Sequence, residues 1–234
     1  MYALSGERIL TAWERGRGLR EPWRALALLE LAVPERRPRE LASLTLAERN
    51  ALLLRLRAAT FGRDIEGFAV CAKCQTQLEL ALDAEDLAQG LRAAPEETWT
   101  EGGAAMRMRP ANSMDIAASL DAVDEEEAAA LLLARTLDVN EAQVNVTERA
   151  NWVETFERIN AAAEIQCVLS CAACGAHAVM DFDVAEFLWR EVSLAARRLL
   201  ADIHRLASAY GWSEEAIVGM SAARRALYLE MVSA

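Results

Sequence analysis

Lysine is almost missing from this chain. Lys73 stands alone among 25 Lys and Arg side chains, a bias that accompanies abundant alanine and arginine and carries no functional reading. Histidine is nearly as scarce: His177 and His204 are the two present, and they fall in different predicted elements, so acid–base chemistry has little to draw on. No P-loop, GxGxxG, GxSxG or HExxH pattern occurs. These absences point away from an enzyme and from a small-molecule substrate. Long hydrophobic runs are lacking too, the longest being AAALLLA at 128–134, far short of the roughly 20 residues needed to span a bilayer. Near the start, Glu7, Arg8, Glu14 and Arg15 interrupt the apolar stretch that a signal peptide requires. The expectation is a cytoplasmic protein with no membrane partner.

What is present is enough to build a core, since 53% of 234 residues are hydrophobic. Charge is distributed unevenly. Residues 1–63 hold twelve Arg against seven Glu, whereas 83–161 hold six Arg against 17 Asp and Glu, a net −11 equal to that of the whole protein. A body this acidic repels phosphate backbones, so free nucleic acid is a poor partner. The arginine-rich N-terminal region suits an acidic protein surface instead. The cluster DEEE at 124–127 is consecutive rather than convergent, and reads as the start of a helix.

Four of the five cysteines form two CxxC pairs, Cys71 with Cys74 and Cys171 with Cys174. A reducing compartment excludes a disulfide framework. The surrounding sequence repeats without a gap at an offset of 100: Ile65 with Ile165, Ala72 with Ala172, Leu80 with Met180, Asp83 with Asp183. In each copy the apolar residues alternate with polar ones on both sides of the CxxC, the period of a strand. The repeat unit is therefore strand, knuckle, strand and a helix capped by aspartate.

Two knuckles supply the four thiolates that a tetrahedral zinc ion takes, although the 96 residues between them exceed an ordinary zinc-ribbon spacer. Loop-closure entropy grows only logarithmically, so a long insertion is tolerable. Three alternatives stay open. A redox CxxC should open a helix, and here strand pattern follows. An iron site uses the same four thiolates. Four buried cysteines without metal are also compatible with the residue type. The reading favoured is one structural zinc per chain on Cys71, Cys74, Cys171 and Cys174. His177 falls on the polar side of its strand, Cys167 alternates with Ile165 and Leu169 as core, and His204 lies beside an apolar stripe as a surface or packing residue.

Helical signals dominate elsewhere. Ser5 opens a helix ending near Gly16; Pro22 opens another that lasts to Pro34; PERRPRE reads as a basic loop; Thr45 and Glu48 form a capping box for a helix that stops at Gly62. Within the insertion, EETWT and AAMRMR form a weak strand pair turning at Gly102 and Gly103, followed by a helix over DEEEAAALLLARTL at 124–137 and another from the Asn145 region through Trp152. Leu188, Val192, Ala195, Leu199, Ile203, Leu206 and Tyr210 trace one stripe on a helix of about seven turns, closed by Gly211. Ser213 and Ser221 cap two short final helices.

The organisation expected is a helical N-terminal region (1–63), a first knuckle hairpin (64–83), an acidic insertion (84–161), a second knuckle hairpin (162–183) and a long helix with a helical tail (184–234). The fold class is α+β and mainly α-helical, a helical bundle around a zinc-ribbon-like pair of β-hairpins.

The segments LASLTLAERNALLLRLRAATFGRDIEGFAVCAKC, CAACG leading to DFDVAEFLWREV, and RRLLADIHRLASAYGWSEEAIVGMSAARRALYLEMV together resemble T-even-type baseplate or baseplate hub assembly chaperone proteins of contractile phage tails and contractile injection systems. The resemblance covers most of the chain and is weakest over the acidic insertion. It implies a non-enzymatic protein whose partners are baseplate or hub subunits. The runner-up is a zinc-ribbon regulator or adaptor that binds nucleic acid through residues 1–63; salt-sensitive DNA binding separates the two.

Overall fold

The computed structural model describes residues 1–101, 103–137 and 150–233. Helices α1 (Gly6–Gly16), α2 (Trp23–Ala32) and α4 (Leu46–Phe61) form the N-terminal bundle, with the short α3 (Pro38–Ala42) between the last two. The segment read as a basic loop thus contains a helix. Pro38 occupies its first turn, where a missing N–H costs nothing, and the Arg37 amide donates to Glu40 Oε2 at 3.1 Å. The α4 capping box forms as read, with the Glu48 amide donating to Thr45 Oγ1 at 3.2 Å and the Thr45 amide to Glu48 Oε2 at 2.9 Å. Gly62 ends α4 at φ 100°, a value that favours glycine.

Three two-stranded antiparallel hairpins follow the bundle: β1 (Asp64–Val70) with β2 (Gln77–Asp83), β3 (Glu97–Glu101) with β4 (Ala104–Met108), and β5 (Gln166–Ser170) with β6 (His177–Asp181). A short α5 (Ala84–Gly90) follows the first hairpin and packs on α4. Helices α6 (Ser113–Ser119), α7 (Glu125–Leu137) and α8 (Ala150–Asn160) complete the insertion. Gly102 and Asn145, expected at a turn and a helix start, lie outside the described residues. The sequence reading omitted α6, which Asn112 caps by accepting from the Met114 and Asp115 amides at 2.8 and 3.2 Å.

The chain closes with α9 (Val184–Tyr210), α10 (Glu214–Val218) and α11 (Ala222–Ser233). Gly211 takes the left-handed conformation at φ 67° that ends α9. The buried stripe of α9 runs through Leu188, Val192, Ala196, Leu199, Ile203 and Leu206. Ala196 replaces the expected Ala195, and Tyr210 is exposed, stacked on Trp212 with centroids 4.5 Å apart. No helix among the described residues is long and apolar enough to cross a membrane.

Three apolar clusters hold these elements together. The largest joins α1, α2, α4 and the first half of α9 around Leu28, Leu29, Leu53, Leu56, Leu188 and Val192, and includes Ile65 at the root of β1. A second packs Leu10 of α1 against Leu199, Ile203 and Leu206 of α9 and Ile217 of α10. The insertion has its own, built on Met108, Leu133, Leu137, Trp152 and Ile159. The insertion is moored to α4 in its middle and just past its C-terminal end: the Leu46 amide donates to Ala111 O at 3.0 Å, and Asn50 Nδ2 to Ala163 O at 3.0 Å.

Candidate metal centre

Both hairpins are rooted in the main core and carry their cysteines at the far end. At the root of the first, the buried Arg57 guanidinium donates to Gly62 O at 2.8 Å and to Asp64 O. It also meets Glu191 of α9 with Nε and Nη2, at 3.0 and 2.8 Å. Arg63 closes the same root with a two-pronged contact to Asp83, both arms at 3.0 Å. Asp83 is also the cap of α5, accepting from the Glu85 and Asp86 amides at 2.8 and 2.9 Å. The Arg63 hydrogen bond, followed by those amides, holds its carboxyl below the usual carboxylate range. The second root repeats the device, with Asp183 accepting from the Glu186 amide at 3.0 Å and the Phe182 amide donating to Ile165 O at 2.8 Å. Leu82, Ile165, Phe182 and Phe187 pack on the main cluster and seat both roots in one place.

The repeat seen at an offset of 100 is a repeat of register. Gly67 faces Leu80 as Cys167 faces Met180, and Val70 faces Gln77 as Ser170 faces His177. The knuckles match bond for bond. The Cys71 amide donates to Thr76 O at 2.9 Å and the Cys171 amide to Ala176 O at 2.8 Å; the Gln75 and Gly175 amides donate to the carbonyls of Cys71 and Cys171, each at 2.8 Å. Gln75 and Gly175, the residues after the second cysteine of each pair, both adopt positive φ, 60° and 69°.

The two tips meet. The Sγ atoms of Cys71, Cys74, Cys171 and Cys174 all lie within 4.8 Å of one another, with Cys71 to Cys174 at 3.7 Å and Cys74 to Cys171 at 3.5 Å. Zinc–sulfur bonds of about 2.3 Å at tetrahedral angles require sulfurs about 3.8 Å apart, so the cage has the size of a tetrahedral thiolate site. Cys71, Cys171 and Leu78 are its buried side, and Cys74 is exposed. All five cysteines are free thiols. Cys167 is buried below the cage, and burial pushes its thiol up.

The electrostatics of the cage are uneven. Hydrogen bonding to the Thr76 hydroxyl, 3.2 Å away, then to the Thr76 amide and to Cys174 and Cys171, brings Cys74 down to about 6. The amides of Cys74 and Lys73 lower Cys71. At Cys174 the Ala176 amide acts downward, yet contact with Cys74, burial, and contact with Cys171 and Cys71 outweigh it, and the thiol is pushed up to about 12. Four thiols this close do not all ionise unaided, and a cation at their centre supplies the missing counter-charge. The donor set therefore fits a metal ion, and the four cysteines can hold one. Neither CxxC opens a helix, since β2 and β6 follow them, and the helix dipole used by redox motifs is lacking at both. His177 is exposed and lies 2.9 Å from Ser170 Oγ, on the strand face away from the cage. His204 is on the exposed side of α9.

One polar centre escaped the sequence reading. Asp115 of α6, with no exposed side-chain surface, accepts from Arg109 Nη1 and Nη2 at 2.6 and 3.0 Å, from Arg135 Nε at 3.0 Å and from the Asn112 amide at 3.0 Å. Burial raises its pKa, but the Arg109 hydrogen bond, the Asn112 amide and Arg135 together bring it below the usual value. The carboxylate is saturated by its own protein, so it serves as a structural clamp between α6 and α7.

Against known proteins, the family model described as T4 bacteriophage base plate protein matches residues 27–189, a span that contains both knuckles. No curated protein and no solved structure matches the chain.

Proposed function

The chain belongs to the T4 bacteriophage base plate protein family, and from that premise we propose that it is a non-enzymatic component or assembly chaperone of the baseplate of a contractile phage tail or contractile injection system, stiffened by one structural zinc ion on Cys71, Cys74, Cys171 and Cys174. The observation that carries this reading is the meeting of two matching knuckles, 97 and 103 residues apart across their closest sulfur pairs, inside the span the family model matches. Zinc is preferred to iron because the role is mechanical: a closed four-thiolate site ties two hairpins together and contributes folding energy directly, on the order of 10 kcal/mol. A two-stranded hairpin is marginal alone in water, and a clamp at its tip is what makes it a rigid surface. The partners of such a surface are baseplate or hub subunits.

Co-expression with the baseplate subunits encoded beside it tests the assembly role. A stable complex, together with loss of sheathed particles when this gene alone is deleted, is the expected outcome. Normal particles from the deletion strain would overturn it.

A further inference from the structure

Away from the cysteines, a groove of about 1260 Å³ is walled by α1, the middle of α9, and α10 with the start of α11. Of its lining, only Phe61 falls within residues 27–189, so the groove is formed almost wholly by parts of the chain outside the family match. It includes Glu214 and Glu215 of the WSEEAI segment, which the sequence explains only as first-turn residues of α10.

We propose that this groove binds an amphipathic helix of a partner protein that carries basic residues along the edges of an apolar stripe. The floor is apolar, made by Leu10, Phe61, Leu199 and Val218. Around it stand five carboxylates, Glu7, Glu14, Asp202, Glu214 and Glu215, none of which has an ion-pair partner among the described residues. The opposing cations are Arg198 and Arg225, and Arg225 is turned to Met220 O at 2.6 Å. Five carboxylates against two guanidiniums leave the rim net negative by three. Asp83, Asp115 and Glu191, by contrast, each meet an arginine.

The shape narrows the class of occupant. The volume exceeds the roughly 300–1,000 Å³ of a small-molecule pocket. A helix of 10–12 Å diameter rising 1.5 Å per residue fills it with about two to three turns. Helical walls satisfy their own backbone groups and offer no strand edge to extend, which leaves the helix-in-groove mode. The carboxylates repel nucleic acid. An apolar floor supplies affinity, and the rim charges select the partner and speed its approach, an effect that salt screens. The proposal rests on residues remote from the cage and does not depend on the metal.

The test uses the full-length protein and two labelled 14-residue peptides with leucines at i, i+3, i+4 and i+7, one flanked by lysines and the other by glutamates at the same positions. Fluorescence anisotropy should show the lysine peptide binding at least about tenfold tighter, with the difference shrinking as salt rises. Glu7→Lys with Glu214→Lys should weaken it by about tenfold, whereas Glu126→Lys, at an exposed position of α7, should leave it unchanged. NMR shifts on binding should concentrate at Leu10, Leu199 and Val218. Equal affinity of the two peptides, no binding of either, or indifference to the groove reversal in a variant with unchanged circular dichroism would overturn the proposal. Particle assembly can succeed or fail without altering any of these readouts.

Discussion

At Gln75 the backbone takes φ 60°, and at Gly175, its counterpart in the second knuckle, 69°. A Cβ in the left-handed region costs roughly 1 kcal/mol, so the first knuckle carries a strain the second avoids. Gln75→Gly should raise stability by about 1 kcal/mol and Gly175→Gln lower it by a similar amount, measured by denaturant unfolding. Equal and opposite shifts are the expectation; the same sign at both positions would show that the knuckles are not equivalent. Arg57 is a second decisive residue, because one guanidinium joins the end of α4, the start of β1 and Glu191 of α9. Arg57→Ala orphans two carbonyls and a carboxylate and should cost about 3 kcal/mol, with Arg57→Lys recovering little because an ammonium cannot fork. Gly16 is constrained by space: a Cβ there would sit 2.5 Å from the Trp189 ring. Gly16→Ala should destabilise by about 1–3 kcal/mol through overpacking between α1 and α9, read as a lower Tm.

Among the elements, the clamp on the fully buried Asp115 side chain makes the packing of α6 on α7 acid-sensitive. Its carboxyl is held below the ordinary value, so the stabilisation is complete above about pH 4 and is lost as pH falls through the lower folded value. NMR should show α6 and α7 loosening in that window before α4 and α9, and Asp115→Asn should loosen them at neutral pH. Simultaneous melting of all four helices would contradict the clamp. The sequence revealed those elements whose logic is local. Alternation on both sides of each CxxC, aspartates at 83 and 183, the Thr45–Glu48 box and Gly211 are all signals within a few residues of what they specify, and all formed. Helix α6 was missed although Asn112 and Asp115 form a local capping box at its start; what lies beyond local sequence is its anchor on Arg135, 20 residues away. The short α3 was hidden for a related reason, since prolines and arginines read as loop unless the fold places Leu41 in the core. The shift from Ala195 to Ala196 on α9 reflects two adjacent alanines that period alone does not separate.

At the scale of the molecule, two hairpins from distant parts of the chain share one root on α4 and α9 and one tip at the cysteines. Helical packing fixes the root. Among the described residues, Leu78, Ala69, Leu169 and Ala176 are the apolar side chains packed with the cysteines at the tip, so the tip should depend on the metal. The juxtaposition was foreshadowed by the repeat at 100, but the groove between α1, α9 and α10 was not, because it arises where the two ends of the chain come together. Zinc analysis joined to X-ray absorption on the purified protein tests the central claim most directly. The account predicts about one zinc per chain with four sulfur neighbours at about 2.3 Å, and loss of both the metal and the hairpin amide dispersion in Cys71→Ser with Cys171→Ser while the helical signal persists. Wild-type protein free of metal with both hairpins fully ordered would contradict it.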